Sequence, residues 1–420
     1  MRHARCTCTL QTPCHRLVAV APGQRWPLSN IELVERKHVM KSKALLLGSL
    51  VVGIMSAGCA VGYEAEEGEV GDAQQAFVSH AWAYAWAHQA TGSFTASSSY
   101  SRSSSGDAFG QGVNNTVTQL GAGQYRVRFP DVGAVPGGHV QVTAYGAGAE
   151  RCKVNSWVRS GDDVDVYVNC FTAGGAPVNT LFSVAYVHKS GTGSSDEAYV
   201  WANNPTAAAY TPAATYQFNS SGVNNTIARE GVGYYAVTLP GQTAGGATVE
   251  VTAYGPGSDH CKVGSWGQSG DDAVVRVRCF DSSGAPSDSQ FTLNFARSRQ
   301  VNGGLSYSYA WANNATAAAY TPSLSYQEGY IAGDLGEVEA DITAGRTSAG
   351  RYSVSLPGMS ASGSNVQITA YGSGPEYCKV VGWSGTETNA NVNVACFDAS
   401  GAPADTRFVL VYTDDKFIVL

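Results

Sequence analysis

The sequence predicts an all-β protein made of three tandem antiparallel β-sandwich modules with an immunoglobulin-like outline and one disulfide bond each. Three observations predict this fold: a cysteine-containing pattern occurs three times, the repeated segments alternate apolar and polar residues, and charged residues are scarce. Only 14% of the 420 residues are charged, while 49 are Gly and 22 are Tyr. This composition excludes a coiled coil and a disordered acidic chain, and it is typical of an all-β extracellular protein with many turns.

The segment before the repeats has the pattern of an export signal. Lys41 and Lys43 precede the apolar run 44–58, which is shorter than the ~20 residues that a transmembrane helix needs. The run ends in Ser-Ala-Gly-Cys, which resembles the lipobox of bacterial lipoproteins. The resemblance implies a lipoprotein signal peptide over residues 40–58 and a lipid on Cys59, through which the protein is attached to a membrane.

The residue after Cys59 bears on the compartment. Ala60 stands there instead of Asp, and by the same resemblance this implies the outer membrane or the cell surface. The alternative is ordinary cleavage after Ala60, which would release a soluble secreted protein.

Two further segments flank the signal. Residues 1–39 precede a second possible start at Met40 and are interpreted as a non-native leader, because an export signal must lie at the amino end to act; the alternative is a metal cluster formed by their Cys and His residues. Residues 59–76 are acidic and small and are interpreted as a flexible tether, which resembles that of myxobacterial lipoproteins.

The charge balance limits the partners. Residues 59–420 contain 31 acidic and 18 basic side chains and no basic run. A chain of this charge is a poor nucleic-acid binder, and its only expected membrane contact is through the lipid on Cys59.

The body of the chain repeats one pattern. Cys-Lys-Val occurs three times, each time with a Trp five residues and a second Cys 18 residues after the first Cys, and each time preceded by Thr-Ala-Tyr-Gly. The module boundaries are predicted at 77–190, 196–299 and 305–420. Because the spacing between copies is that of a whole domain, the sequence predicts independent modules arranged as beads on a string. The array resembles secreted bacterial repeat proteins of unknown function, and this resemblance implies no activity.

The two cysteines of each module are predicted to form a disulfide bond, as expected in an exported protein. A hairpin centred on Gly161 makes Cys152 face Cys170 and Val154 face Val168. The predicted bonds are Cys152–Cys170, Cys261–Cys279 and Cys378–Cys396.

The same hairpin register predicts that the repeated tryptophans lie on the face opposite the disulfide. Trp157, Trp266 and Trp383 are therefore candidate binding residues, exposed once per module, for a polysaccharide or a surface protein. Two alternatives remain: a loop or a neighbouring module covers each Trp, or a β-bulge turns each Trp inward.

No catalytic, metal or cofactor site is predicted. Module 3 contains no His, and the Asp162-Asp163 and Asp271-Asp272 pairs are explained by turn chemistry. The leading hypothesis is thus a lipid-anchored surface binding or adhesion protein that uses its repeats for avidity, and not an enzyme. The alternatives are an envelope-structural lipoprotein without a specific ligand and a secreted hydrolase whose site the sequence does not reveal.

Overall fold

The computed structural model describes residues 78–193, 195–333, 336–338 and 340–418. The predicted leader (1–39), signal peptide (40–58), lipidation site Cys59 and tether (59–76) lie outside these residues. In the described part of the chain, no helix is long and apolar enough to cross a membrane.

The strands follow the three repeats. Module 1 contains β1 (Val78–Ala87), β2 (Ser93–Thr95), β3 (Ser101–Ser103), β4 (Thr116–Gly121), β5 (Gln124–Phe129), β6 (His139–Tyr145), β7 (Arg151–Ser160), β8 (Asp163–Phe171) and β9 (Leu181–Gly191). Module 2 contains β10 (Asp196–Ala202), β11 (Ala209–Tyr210), a 3-10 turn (Ala214–Tyr216), β12 (Gln217–Asn219), β13 (Thr226–Gly231), β14 (Tyr234–Leu239), β15 (Ala247–Tyr254), β16 (His260–Ser269), β17 (Asp272–Phe280) and β18 (Gln290–Arg297).

Module 3 has the same order with one longer hairpin. It contains β19 (Ser306–Ala312), a 3-10 turn (Leu324–Tyr326), β20 (Gln327–Gly333), β21 (Gly336–Glu337), β22 (Thr343–Ser348), β23 (Arg351–Pro357), β24 (Asn365–Tyr371), β25 (Tyr377–Gly385), β26 (Asn389–Phe397), β27 (Arg407–Asp414) and β28 (Phe417–Ile418). The hairpin β20–β21 replaces the three-residue strand β12 of module 2.

Each module is a β-sandwich, as predicted. In module 1, β1, β3, β6 and β9 form one layer, and β2, β4, β5, β7 and β8 form the other. Alternating apolar residues point between the layers, so that Ala83 and Val184 from one layer pack in the same core as Val127 and Val166 from the other. The first strand has an aromatic and an alanine face, and most residues of both faces are buried; both edges of β1 are paired, with β3 and β9.

The modules are not beads on a string, and this expectation is wrong. Every sheet combines one layer from each of two modules, and the three modules belong to one compact unit. The layers join through short parallel pairings, β6 with β25, β15 with β7, and β24 with β16. Module 1 therefore pairs with module 2, module 2 with module 3 and module 3 with module 1, in a closed cycle.

The Gly of the repeated Thr-Ala-Tyr-Gly motif lies at each parallel pairing. Gly146, Gly255 and Gly372 all have a positive φ, between 102° and 123°, which a residue with a Cβ rarely adopts. This turn directs each Gly N–H to a carbonyl of another module, at 2.8–2.9 Å. The motif therefore repeats because each copy makes the same contact between modules.

A ring of threonines closes the centre of the cycle. Thr143, Thr252 and Thr369 lie at the same position of β6, β15 and β24, and each Oγ1 accepts a hydrogen bond from a backbone N–H of another module. These N–H groups belong to Ile368, Val142 and Val251, at 3.0, 3.3 and 3.1 Å respectively. Because all six groups are buried, the ring satisfies backbone donors that would otherwise be unpaired.

The predicted disulfide bonds Cys152–Cys170, Cys261–Cys279 and Cys378–Cys396 are confirmed. The predicted hairpin register holds as far as Val154, which faces Val168. It then shifts by one residue at a β-bulge between Val154 and Ser156, and the other two modules have the same bulge. Each bridge closes a loop that is worth about 3 kcal/mol in the chain-entropy model.

Two cations face each other on the hairpin of module 2. Lys262 faces Arg278 across β16 and β17. The two side chains take different partners, because Arg278 lies over the Tyr234 ring and Lys262 reaches Glu376 of module 3. The repulsion expected between like charges is thereby reduced.

Candidate functional site

The repeated tryptophans do not lie on an exposed face, and the expectation that they do is wrong. Trp157 is 5% exposed and Trp383 9%, and Trp266 is partly buried. The bulge that precedes each of them adds one residue, which turns the Trp side chain to the same face as the disulfide. Both alternatives to exposure therefore apply: a bulge turns each Trp inward, and a neighbouring module covers it.

Each Trp is the centre of an aromatic cluster between two modules. Trp157 of module 1 packs against Trp201, Tyr216 and Tyr254 of module 2, with ring centroids 5.6–6.0 Å apart. The edge-to-face geometry of these pairs is a favourable one for aromatic rings. The two equivalent clusters are Trp266 with Trp311, Tyr326 and Tyr371, and Trp383 with Trp86, Tyr100 and Tyr145.

The clusters complete the cores of the modules. Trp201, Tyr216 and Tyr254 of module 2 pack onto the core of module 1, and Trp86, Tyr100 and Tyr145 of module 1 pack onto the core of module 3. The repeated Trp is therefore an assembly residue, and the three copies offer no exposed platform for a ligand.

A cleft of about 450 Å³ is the best candidate for a ligand site. Its size is within the ~300–1,000 Å³ that is usual for ligand pockets. It lies where the segment that links modules 2 and 3 (298–300) meets the β20–β21 hairpin of module 3, beside the start of β10. Its lining includes Glu197, Arg299, Tyr307, Glu328, Tyr330 and Glu337.

A stack of tyrosines forms one wall of the cleft. Tyr307 lies between Tyr309 and Tyr330, with centroids 6.2 and 5.6 Å apart and nearly parallel rings. Tyr309 and Tyr307 are buried, but Tyr330 on the longer strand β20 is partly exposed. The stack therefore presents the ring of Tyr330 to the cleft.

Glu328 fixes the stack. Its two carboxylate oxygens accept hydrogen bonds from the hydroxyls of Tyr307 at 2.9 Å and of Tyr309 and Ser298 at 2.8 Å. Burial and the neighbouring Glu328 charge raise the pKa of both tyrosines, which keeps them protonated as donors. The wall of the cleft is thus held in one arrangement before any ligand binds.

A buried ion pair forms the floor of the cleft. Lys189 Nζ lies 2.7 Å from Glu197 Oε1, and the two side chains are 1% and 2% exposed. Burial alone would raise the pKa of Glu197, but Lys189 and His80 hold it well below its ordinary value. Glu197 is therefore ionised and cannot serve as the protonated acid that glycoside hydrolysis requires.

The cleft carries net negative charge. Glu328 and Glu337 face it along with Arg299, while Lys189 balances Glu197. In the described ranges, no three His, Cys, Asp or Glu side chains are grouped as metal ligands. The cleft is thus suited to a ligand that donates hydrogen bonds and stacks on an aromatic ring.

Sequence reasoning missed this cleft because none of its residues recurs in all three modules. One signal was present: module 3 is longer than module 2 in the segment that forms β20 and β21, and an insertion in one copy of a repeat points to a role specific to that copy. The aromatic Tyr-x-Tyr of β19 and the nine-residue separation of Glu328 and Glu337 gave no information on their proximity.

The described part of the chain also shows where the Asp pairs lie. Asp163 and Asp272 accept hydrogen bonds from the backbone of Asp131 and Gly241, as turn-stabilising residues do.

Comparison of the chain with protein-family models, curated proteins and solved structures finds no match.

Proposed function

We propose that the protein is an exported, lipid-anchored surface protein that binds a neutral saccharide in the cleft beside the β20–β21 hairpin. The observation that carries the proposal is the cleft itself, in which a partly exposed tyrosine ring lies next to the carboxylate of Glu328, which is fixed by hydrogen bonds. Three disulfide bonds support export, because such bonds persist in oxidising compartments.

The ligand class follows from the charges. Carboxylates accept hydrogen bonds from sugar hydroxyls, the tyrosine ring covers an apolar sugar face, and the negative cleft disfavours anionic polysaccharides. Within the described residues the site occurs once, because module 3 has the hairpin β20–β21 where module 2 has the short strand β12. Avidity from three equivalent sites is therefore no part of this proposal.

The cleft is tested by Tyr330→Ala. Loss of one stacking contact is worth roughly 0.5–1.5 kcal/mol, so the Kd for a neutral oligosaccharide selected on a glycan array should rise up to about tenfold. Isothermal titration calorimetry measures the change. Tyr167→Ala is the matched control, since Tyr167 is a partly exposed tyrosine on β8 outside the cleft.

Two results would contradict the cleft as the binding site. If Tyr330→Ala and Tyr167→Ala weaken saccharide binding equally, the ligand binds outside the cleft. The absence of any bound glycan on the array would favour the envelope-structural alternative.

The anchor is tested separately with Cys59→Ala. The lipid on Cys59 is the proposed attachment, so this variant should move from the membrane fraction to the soluble fraction while keeping its saccharide affinity. Fractionation followed by immunoblotting measures the shift, and Cys59→Ala protein that still sediments with membranes would refute the lipoprotein assignment. The Tyr330→Ala variant, which keeps Cys59, should remain with the membranes.

A further inference from the structure

Three buried lysines surround one end of the axis that relates the modules. Lys153, Lys262 and Lys379 directly follow the first cysteine of each disulfide, and none is more than 4% exposed. Lys262 Nζ lies 3.1 Å from Glu376 of module 3, and Lys379 Nζ lies 2.9 Å from Glu150 of module 1. Each of these lysines is thus neutralised by a carboxylate from the next module in the cycle.

The third lysine lacks this partner. The residue equivalent to Glu376 and Glu150 is Asp259, whose side chain is one methylene shorter. Among the residues that the structure describes, no carboxylate oxygen lies within 4.0 Å of Lys153 Nζ. Asp259 attracts Lys153 only from a greater distance.

A second cation without a carboxylate in contact lies beside Lys153. Arg151 is 6% exposed; its guanidinium lies over the Tyr377 ring, 5.3 Å from the centroid, and donates hydrogen bonds to the carbonyls of Ser258 and Ala173, at 2.9–3.2 Å. The equivalent residues are His260 and Tyr377, which reach the equivalent carbonyls of Pro375 and Ala149. Burial and the charge of Arg151 lower the pKa of His260 to about 3, so that it is neutral.

The junction of modules 1 and 2 therefore contains a lysine that no carboxylate contacts. Asp259 attracts both Lys153 and Arg151 from a distance, and the Asp281 carboxylate, which also accepts hydrogen bonds from Ser283 and its own turn, attracts Arg151. The charges of the junction balance in number, but Lys153 itself has no negative charge in contact. Arg278, Arg351 and Arg407 near the other two lysines add positive charge. Burial lowers the pKa of Lys153 to about 8, which leaves it charged at neutral pH.

A cavity of about 50 Å³ borders these groups. Lys153, Arg151, Asp259 and His260 line it, together with the threonine ring and the first cysteine of each disulfide. Since one water needs about 10–15 Å³ by this measure, the cavity holds a small ion and excludes a sugar. His260 donates its Nε2–H to the Pro375 carbonyl, so the buried Nδ1 of the neutral ring is an acceptor and offers an anion no hydrogen bond; Lys153 is the donor for the anion.

We propose that this cavity binds one small monovalent anion, chloride or a short carboxylate such as formate, next to Lys153. The anion supplies at Lys153 the negative charge that Glu376 and Glu150 supply at Lys262 and Lys379. It completes the third ion pair of the cycle and so fastens module 1 to module 2. This site is separate from the saccharide cleft, and its test does not depend on saccharide binding.

The experiment compares the exported full-length protein with Asp259→Glu, which restores the longer side chain found at the other two junctions. Thermal unfolding is followed while chloride or formate replaces gluconate, an anion too large for the cavity, at constant ionic strength. The wild-type midpoint should rise with chloride or formate, and whichever anion raises it identifies the ligand. Asp259→Glu should have the higher midpoint in gluconate and should not respond to either anion.

Direct binding is measured by the broadening of the ³⁵Cl resonance. The broadening should fall at least tenfold in Asp259→Glu and in Lys153→Met, and it should be unchanged in Asp271→Glu, which makes the same chemical change at an exposed turn. A wild-type midpoint that is insensitive to both anions would overturn the proposal. The proposal would also be overturned if anions raised the midpoint of Asp259→Glu as much as that of the wild type. This comparison does not need Lys153→Met, so it tests the proposal even if Lys153→Met does not fold.

Discussion

Trp157→Ala is expected to lower the free energy of unfolding of the whole three-module body by about 3–5 kcal/mol, the usual range for truncating a buried Trp. Trp157 is 5% exposed, contacts three aromatic rings of module 2 and donates its indole N–H to the carbonyl of Gly137 at 2.9 Å. Its removal leaves a cavity in the core of module 1 and at the junction with module 2. The loss is therefore shared by two modules.

The same variant tests whether the three modules unfold together. Because every sheet is built from two modules, we expect one cooperative transition, shifted to lower denaturant, by both tryptophan fluorescence and circular dichroism. Leu324→Ala is the control, since Leu324 is 66% exposed and its truncation should cost less than about 0.5 kcal/mol. An early transition of one module, with two modules still folded, would contradict the closed cycle.

The features that the sequence predicted are local in the chain. The cysteines of each disulfide are 18 residues apart in one hairpin, so the turn and the alternation of apolar residues fix their pairing. In module 2 the residues of β14 (Tyr234–Leu239) alternate between buried and partly buried positions, whereas β13 (Thr226–Gly231) has no such regular alternation. Its sequence, Thr-Ile-Ala-Arg-Glu-Gly, has only one buried apolar anchor, Ile227.

The features that the sequence did not reveal depend on contacts between modules. A single bulge residue reverses the face of Trp157, and no local pattern marks it: Asn155, Gly264 and Val381 occupy the three bulges. The shared sheets depend on parallel contacts between residues about 100 or more positions apart. A clue existed in the recurrence of Trp and of Ala-Tyr-Gly in every copy, because aromatic residues that repeat on one face indicate a shared buried contact.

The cleft and the anion cavity were hidden for the opposite reason. Both arise where the copies differ, at the longer hairpin β20–β21 and at Asp259. A repeat pattern draws attention to residues that recur, and in this molecule those residues assemble the modules. The differences between copies are visible only after the cycle places equivalent residues next to each other.

Lys189→Met is expected to cost about 3–5 kcal/mol at neutral pH, because it leaves the carboxylate of Glu197 buried without its ion-pair partner. Lys189 ends module 1 and Glu197 begins module 2, and the pair is almost fully buried. Ser195 Oγ, at 3.0 Å, and His80 Nε2, at 3.7 Å, are the remaining polar groups near Glu197.

The pH dependence gives this prediction a second readout. In the wild type the pKa of Glu197 is held below its ordinary value of 4.5, so the pair adds stability above pH 4.5 that is lost as the pH falls through and below that value. In Lys189→Met, burial favours the protonated carboxyl, so the variant recovers stability in acid. The difference in unfolding free energy between wild type and variant should therefore be largest at pH 7 and shrink below about pH 4.5. Urea unfolding at pH 7 and at a pH below 4.5 measures this difference.

The double variant Lys189→Met with Glu197→Gln separates the ion pair from the packing. It removes both charges, so no unpaired ion remains buried, and replacement of a buried ion pair by neutral residues of similar volume is often close to neutral. The double variant should recover most of the stability lost in Lys189→Met, and its stability should no longer change with pH through this pair. If it is as unstable as the single variant at pH 7, the loss comes from the lysine's aliphatic packing and not from the stranded charge of Glu197.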